Sequence, residues 1–479
     1  MLLTELRNGR KSDSSDFLVT THIQVEQELL SRHKMASLIA PVSALLLSVA
    51  FLMMGHGLQT TILPIRAEME AFSGSAIGIM SSMFFVGVVG GGLLSPYIIV
   101  RAGHIRAFAA LISLGSAAAL IHPLVIDTWL WSFSRMITGF CVSATYLIFE
   151  SWLNERATNS TRGLVMSTYT IVVYTGIMIG QLSTIWLEIS GFQAFVVSSI
   201  ALSLAVIPVA LTKSAQPAPI ALVRFRPLKL YQTSPAAIIS IAFVGMTIGA
   251  LFSLLPLFGS QTGMSSDLIP VLAGSLMFGG LILQYPLGRI SDKVDRRYVL
   301  IVGGIGTVIV CLVLVYGNFK HPFALIGLTA LLGGLLQPLY SIAAAHAYDY
   351  TETEDMLETA AGILLAYGIG SIFGPTLATT MMEYQGPMGL FLMVAIALSI
   401  LTIFLLLRLT RRDALATEDK DDYDLASAAP IGGIIAPDLY EGDDDYVLVP
   451  DEYEAEADFD EETTAETPFS DDEENEGTD

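Results

Sequence analysis

The chain has 479 residues, of which 53% are hydrophobic and only 15% charged. A water-soluble domain of that size needs far more charge on its surface, so composition excludes an ordinary soluble globule. The net charge of −22 is not spread evenly: Asp413 to Asp479 hold 26 acidic residues and one Lys, 1 − 26 = −25, which leaves +3 for residues 1–412.

Residues 1–37 are mostly polar and lack a signal-peptide layout. They form the N-terminal cytoplasmic segment, and the first apolar run acts as its own targeting signal. From there apolar runs of about 20 residues recur, each long enough to cross a bilayer core as a helix. Twelve spans are predicted, at 38–63, 74–99, 105–123, 128–152, 162–187, 190–212, 234–258, 266–290, 297–317, 322–348, 355–381 and 387–407. Long alternating strands are missing, which argues against a β-barrel. The fold class is all-α integral membrane.

The longest internal loop, 213–233, divides the spans into halves at 38–212 and 234–407. An offset near 192–194 relates the halves: Leu63-Pro64 returns as Leu255-Pro256, Gly87 as Gly279, Tyr174 as Tyr367, and Gly176 with Gly180 as Gly370 with Gly374. Parallel six-helix pseudo-repeats are a transporter architecture in which a site between the halves opens to each side in turn. Lys and Arg crowd the loops on one side, from Arg101 and Arg106 through Arg296 and Arg297 to Arg408 and Arg412. Only Arg66 and Lys320 fall on the other. By the positive-inside rule both termini are then cytoplasmic.

Residues 408–479 read as a disordered acidic cytoplasmic tail, because charge runs such as Asp443-Asp444-Asp445 cannot bury enough surface to fold. Its Tyr446, Val447, Val449 and Tyr453 are a candidate docking segment for a cytoplasmic partner; a solvated tail with no partner is the plainer alternative.

Polar groups inside spans are costly and mark function. Arg135 is the one basic residue well inside a span, either an anion-binding or proton-path cation or a structural tie to helix carbonyls. His56 and Gln59 share a face of the first span and precede Pro64, where that helix is expected to break. Tyr174 and Tyr367 fall near the midplane. Gln181, Gln284 and Gln337 are weaker candidates, more often ties between helices. With Arg135, the cavity set is His56, Gln59, Arg135, Tyr174, Gln181, Gln337 and Tyr367. Glu150, at the inner end of the fourth span, and His346 are the titratable candidates near the inner mouth. No acid falls squarely at the midplane, which weakens a buried-carboxylate proton mechanism; His56 is a substitute.

Cys141 and Cys311 sit in apolar runs and give neither a disulfide framework nor zinc spacing. Gly90-Gly91-Gly92 and Gly303-Gly304 lack the Lys-Ser/Thr of a phosphate loop and read as close helix packing. Neither a nucleotide module nor a nucleophile–base pair stands out. Enzyme activity, cofactor, metal and nucleic-acid partner are not expected.

The loop after the eighth span reads Gly288-Arg289-Ile290-Ser291-Asp292-Lys293-Val294-Asp295-Arg296-Arg297. It resembles the inner-loop signature of the major facilitator superfamily. A degraded first copy is Arg101-Ala102-Gly103-His104-Ile105-Arg106, with Val100 where that family has Asp. Arg135-Met136-Ile137-Thr138-Gly139 is similar to the family's R-x-x-x-G pattern, and Gly370–Gly374-Pro375 to its G-x-x-x-G-P. The combination of Gly103-His104-Ile105-Arg106-Ala107-Phe108, Glu150-Ser151-Trp152-Leu153-Asn154 and Ser291-Asp292-Lys293-Val294-Asp295-Arg296-Arg297 resembles the YcaD-like bacterial branch, a resemblance that covers roughly 38–407. The resemblance implies a secondary transporter of a small organic solute in the bacterial inner membrane, working by alternating access, with a proton as candidate coupling ion. It also implies a conformational latch. Asp292 would meet the start of span five near Asn159–Arg162, with Arg162 as partner, flanked by Gly288, Lys293, Arg296 and Arg297. In the other half Glu354, Asp355 and Glu358 would pair with Arg101, His104 and Arg106 around Gly103. The rival reading is a non-transporting membrane sensor or scaffold that signals through the tail.

Overall fold

A computed structural model of the chain describes residues 42–157, 161–211, 234–319, 321–352 and 355–409, with Arg162 and Leu357 described by backbone alone. Residues 1–41, the loop at 213–233, Asn159, Lys320, Glu354 and the acidic tail from 410 onward lie outside the described residues, as does the side chain of Arg162.

The described residues form helices and no strand. A bilayer core offers backbone groups no water, so a spanning segment satisfies them internally as a helix. In chain order these are α1 (Ser43–Met69), α2 (Gly74–Ala102), α3 (His104–Leu124), α4 (Thr128–Arg156), α5 (Arg162–Leu182), α6 in two segments (Gln193–Leu204 and Val206–Leu211), α7 (Pro235–Gln261), α8 (Ile269–Lys293), α9 (Arg296–Tyr316), α10 (Pro322–Tyr348), α11 (Met356–Gln385) and α12 (Gly389–Leu409). Twelve spans are long and apolar enough to cross a membrane. The turns after odd-numbered helices mark what we call the upper end of the bundle, those after even-numbered helices the lower end.

Several helices overrun the predicted spans. α1 does not break at Pro64 but continues to Met69. Proline there removes one backbone bond only a turn and a half from the helix end, a loss that neighbouring helices make tolerable. α4 runs to Arg156, which moves Glu150 off the helix end and into the bundle. Asp127 caps α4 by accepting from Leu130 N–H at 2.8 Å, and Ser73 caps α2 at 3.2 Å from Ala76 N–H. Between α2 and α3 stands one residue, Gly103, at φ +77°. A side chain is strained in that backbone conformation, which accounts for a glycine at this point of the degraded motif.

The internal repeat holds in three dimensions. A Cβ on Gly180 would stand 2.1 Å from Met54 O, and one on Gly374 would stand 2.0 Å from Met246 O. Gly87 would meet Met136 O at 1.9 Å and Gly139 would meet Phe84 O at 1.9 Å; their repeat mates Gly279 and Gly333 would meet Ala330 O at 1.7 Å and Leu276 O at 2.0 Å. In each half, glycine thus lets the first and fifth helices, and the second and fourth, touch backbone to backbone. The halves meet along α1 with α7, α2 with α11, and α5 with α8. Outward-facing Leu, Ile and Val are widely exposed, with Trp129, Trp186, Tyr316 and Tyr384 at the upper end, as expected of a lipid-facing surface with interfacial aromatics.

Candidate functional site

A central cavity lies between the halves. α1, α2, α4 and α5 supply His56, Phe84, Phe85, Tyr146 and Tyr174; α7, α8, α10 and α11 supply Phe252, Met277, Gln337 and Tyr367. Its empty space is about 850 Å³ counting the part open to solvent, of which about 80 Å³ admits the centre of a water molecule. That is room for several waters. Its described walls carry no Asp, Glu, Lys or Arg.

Four of the seven cavity residues named from the sequence line it: His56, Gln337 and the repeat mates Tyr174 and Tyr367. His56 stacks on Phe84 (ring centroids 5.1 Å) and on Phe252 from the opposite half (5.9 Å). Gln337 Nε2 donates to Leu276 O at 2.8 Å, tying α10 to α8. Gln59 and Gln181 are buried away from the walls. Gln59 Nε2 donates to Ser198 Oγ at 3.0 Å, a tie between α1 and α6.

Arg135 also stands off the walls, behind Phe84. It is 4% exposed, its guanidinium carbon lies 4.4 Å from the Phe84 ring centroid, and Nη1 is buried without a hydrogen-bond partner. Among the described residues no carboxylate pairs with it. Burying an ion costs several kcal/mol after relaxation, whereas a desolvated cation–π contact returns about 2 kcal/mol. The ring alone leaves this charge under-compensated.

Glu150, placed at the inner end of its span by the sequence, is instead enclosed by the bundle and 0% exposed. Tyr169 O–H donates to its Oε1 at 3.2 Å, while Oε2 has no partner. One turn earlier, Tyr146 reaches the cavity and donates to Met53 Sδ at 2.9 Å. A carboxyl therefore sits within the bundle close behind the cavity wall, where none was expected. His346 is elsewhere, in a small cleft with Arg297, Tyr350, Arg408 and the start of α7.

At the lower end, the inner-loop motif is a buried ion cluster. Arg296 and Asp349 are each 1% exposed and joined by two bonds, Nε to Oδ2 at 2.7 Å and Nη2 to Oδ1 at 3.1 Å. Arg296 Nη1 also reaches Asp292 Oδ1 and Ser291 Oγ, both at 3.1 Å. Asp295 caps α9 through Arg297 N–H at 2.9 Å and clasps the Arg297 side chain at 2.6 Å. Burial opposes ionisation of Asp295, but the hydrogen bonds and charge of Arg297 outweigh it and hold this carboxyl below its ordinary range. Asp349, ending α10, escaped the sequence reading because nothing in its local sequence marks it. Of the predicted latch partners, Asn159, Glu354 and the side chain of Arg162 are outside the described residues. Arg101 and Arg106 are exposed, and His104 Nε2 lies 3.3 Å from Ser151 Oγ on α4.

The upper end is closed by contacts between halves that sequence reasoning also missed. Ser75 N–H donates to Glu383 Oε1 at 2.7 Å, and Ser260 Oγ donates to Glu68 Oε2 at 2.7 Å. Deeper, Ser82 and Thr376 hydroxyls meet at 2.8 Å. Arg66 braces α1 by donating to the carbonyls of Ile189, Ser190 and Gly191 and by pairing with Glu70 at 2.7 Å.

Two repeated six-helix halves around a central cavity define a polytopic membrane transporter. The sequence pattern of the Major Facilitator Superfamily matches residues 45–277 and 237–435, and the chain belongs to that superfamily. Its relatives include an "uncharacterized MFS-type transporter" of Yersinia pestis (strain Pestoides F), 27% identical over 378 residues, covering 78% of this chain and 96% of the relative. Another is the "uncharacterized MFS-type transporter YcaD" of Escherichia coli O139:H28, 28% identical over 385 residues, covering 78% and 97%. Among solved structures the fold is shared with the nucleoside transporter NupG (TM-score 0.64, 13% identity, 77% of this chain and 99% of that one). It is shared as well with a bacterial homologue of the human lysosomal transporter Spinster, in an inward-facing, occupied conformation (TM-score 0.61, 14% identity, 79% and 97%). The protein is a secondary transporter of the superfamily, which is not a family of enzymes, and its superfamily binds small-molecule substrates within the membrane. The sensor reading falls with that assignment.

Proposed function

We propose that the cavity between the halves is the transport site and that a small organic solute passes through it by alternating access. The observation that carries this reading is the pairing of Tyr174 and Tyr367, repeat mates from opposite halves, on the walls of one cavity. A rocking motion of one half against the other changes their separation while each stays fixed to its own half. The Glu383–Ser75 and Glu68–Ser260 contacts act as the gate of the upper end.

Lys and Arg in the lower loops favour a cytoplasmic lower end with both termini inside, in a plasma membrane. The chain divides, on this reading, into 1–37, the halves 38–212 and 234–407, their linking loop 213–233 and the tail 408–479. Glu150 is the proposed carrier of a coupling proton, since a proton removes the cost of burying its charge beside the cavity. The latch proposed for the lower end has Asp292, held by Arg296, meeting the start of α5. That latch is the proposed device that holds the lower end shut.

The test is a thermal-shift screen of purified full-length protein, then flux in proteoliposomes with spin labels across the upper end. A ligand at 100 times its Kd stabilises the fold by about 2.7 kcal/mol. Ligands found this way are expected to change the label distance and to be transported. A bound compound that alters neither distance nor flux would sink the proposal.

A further inference from the structure

The geometry points to an anion subsite at Arg135, screened from the cavity by the Phe84 ring, and hence to a cargo that is a flat aromatic bearing one acidic group. This rests on the reading of the central cavity as the transport site.

The first observation is the unmatched cation. Arg135 is held in α4 with Nη1 buried and unpartnered, and no acid among the described residues pairs with it. A purely structural arginine in a helical bundle is satisfied by carbonyls or carboxylates. Buried bases lie around it: His56 on α1 stacks on the same Phe84 ring, and His122 on α3 packs on Trp131, one turn before Arg135 on α4; His56 Nδ1 and His122 Nε2 also lack partners. The group of side chains lacks an anion.

The second observation is the screen. Phe84 touches the guanidinium with its ring and is itself part of the cavity wall. In the proposed site this one ring swings aside and opens the cation to the cavity. A carboxylate arriving there meets planar donors suited to two parallel hydrogen bonds. The third observation is the shape and chemistry of the walls. Phe85, Tyr146, Tyr174, Phe252 and Tyr367 present aromatic surface from both halves, which suits a flat ring. The described walls hold no carboxylate to attract a cationic cargo. The polar end of the cargo thus faces α2 and α4, while its ring lies among the tyrosines.

The experiment uses purified full-length protein and matched pairs that differ only in charge: benzoate and benzamide, nicotinate and nicotinamide, indoleacetate and indoleacetamide. Affinity is read by thermal shift and tryptophan fluorescence at constant ionic strength. At least one acid is expected to bind about tenfold or more tightly than its amide, as a charge-assisted pair provides. Arg135→Gln is expected to abolish that preference and Arg135→Lys to keep part of it. Amides that match their acids, acids that fail to bind up to about 10 mM, or a preference that survives Arg135→Gln would each overturn the assignment. The wild-type comparison decides the matter alone if Arg135→Gln fails to fold. Neutral aromatics that bind and are carried as well as their acids would overturn the anion subsite and leave the transport reading standing. Absence of flux for every compound that binds would count against the transport reading instead.

Discussion

At the residue scale, charges in this protein do different work according to how they are paired. Arg296 is held by Asp349 in a two-bond pair sealed from solvent, while Asp292 meets the same guanidinium from a more exposed position. Arg135 has an aromatic face in place of a carboxylate. The Asp295–Arg297 clasp lies at the α8–α9 turn and carries a pH dependence. The folded chain binds a proton on Asp295 less readily than the unfolded chain does, because its carboxyl is held below the ordinary value. The clasp therefore stabilises the fold above the unfolded aspartate pKa of about 3.9 and loses that contribution as pH falls through the lower folded value. Asp295→Asn is expected to lower the melting temperature near neutral pH. The gap to wild type should close only as pH drops below about 4, followed by thermal denaturation across a pH series; a gap independent of pH would contradict the assignment.

At the element scale, glycine spacing sets how closely helices approach. Gly180 on α5 faces Met54 O on α1, and Gly374 on α11 faces Met246 O on α7, each too close for a methyl group. Backbone cannot move aside as a flexible side chain can. Gly180→Ala and Gly374→Ala are therefore each expected to cost about 1–3 kcal/mol of stability, with similar losses in the two halves. A Cβ added at Gly327 on α10 would meet no atom within 4 Å, so Gly327→Ala is expected to be neutral or stabilising, by up to about 1 kcal/mol. Detergent melting of the three variants checks this, and equal losses at all three sites would refute the packing account. α1 shows the same dominance of neighbours over local preference: packing carries it through Pro64, where the isolated sequence marks a stop.

At the scale of the whole molecule, the cavity and its closed upper end are products of two halves, and neither half contains them alone. His56 from α1 meets Phe252 from α7, and Glu383 from α11 reaches the first turn of α2. The transport reading places all of this within residues 38–407. Removal of residues 413–479 is accordingly expected to leave flux in proteoliposomes within about twofold of the full chain. Loss of transport on that deletion, with the protein still folded, would assign the acidic segment a direct part in the cycle.

Sequence by itself determined the membrane class, the twelve helices, the repeat and the superfamily. Those follow from properties written along the chain: apolar runs long enough to cross a bilayer, glycines at a constant offset, and charged loop residues in a fixed order. Four cavity residues were legible too, because His56, Gln337, Tyr174 and Tyr367 are unusual for their place in an apolar span. Only the tertiary structure decided which aromatics form the walls, since Phe84, Phe85 and Phe252 look like any other apolar residue in their helices. It likewise decided that Glu150 is buried, that Asp349 holds Arg296, and that Arg135 lies behind a ring instead of on the wall. These are relations between helices distant in sequence, set by side-chain packing across interfaces, and no local pattern encodes the direction in which a helix turns its face.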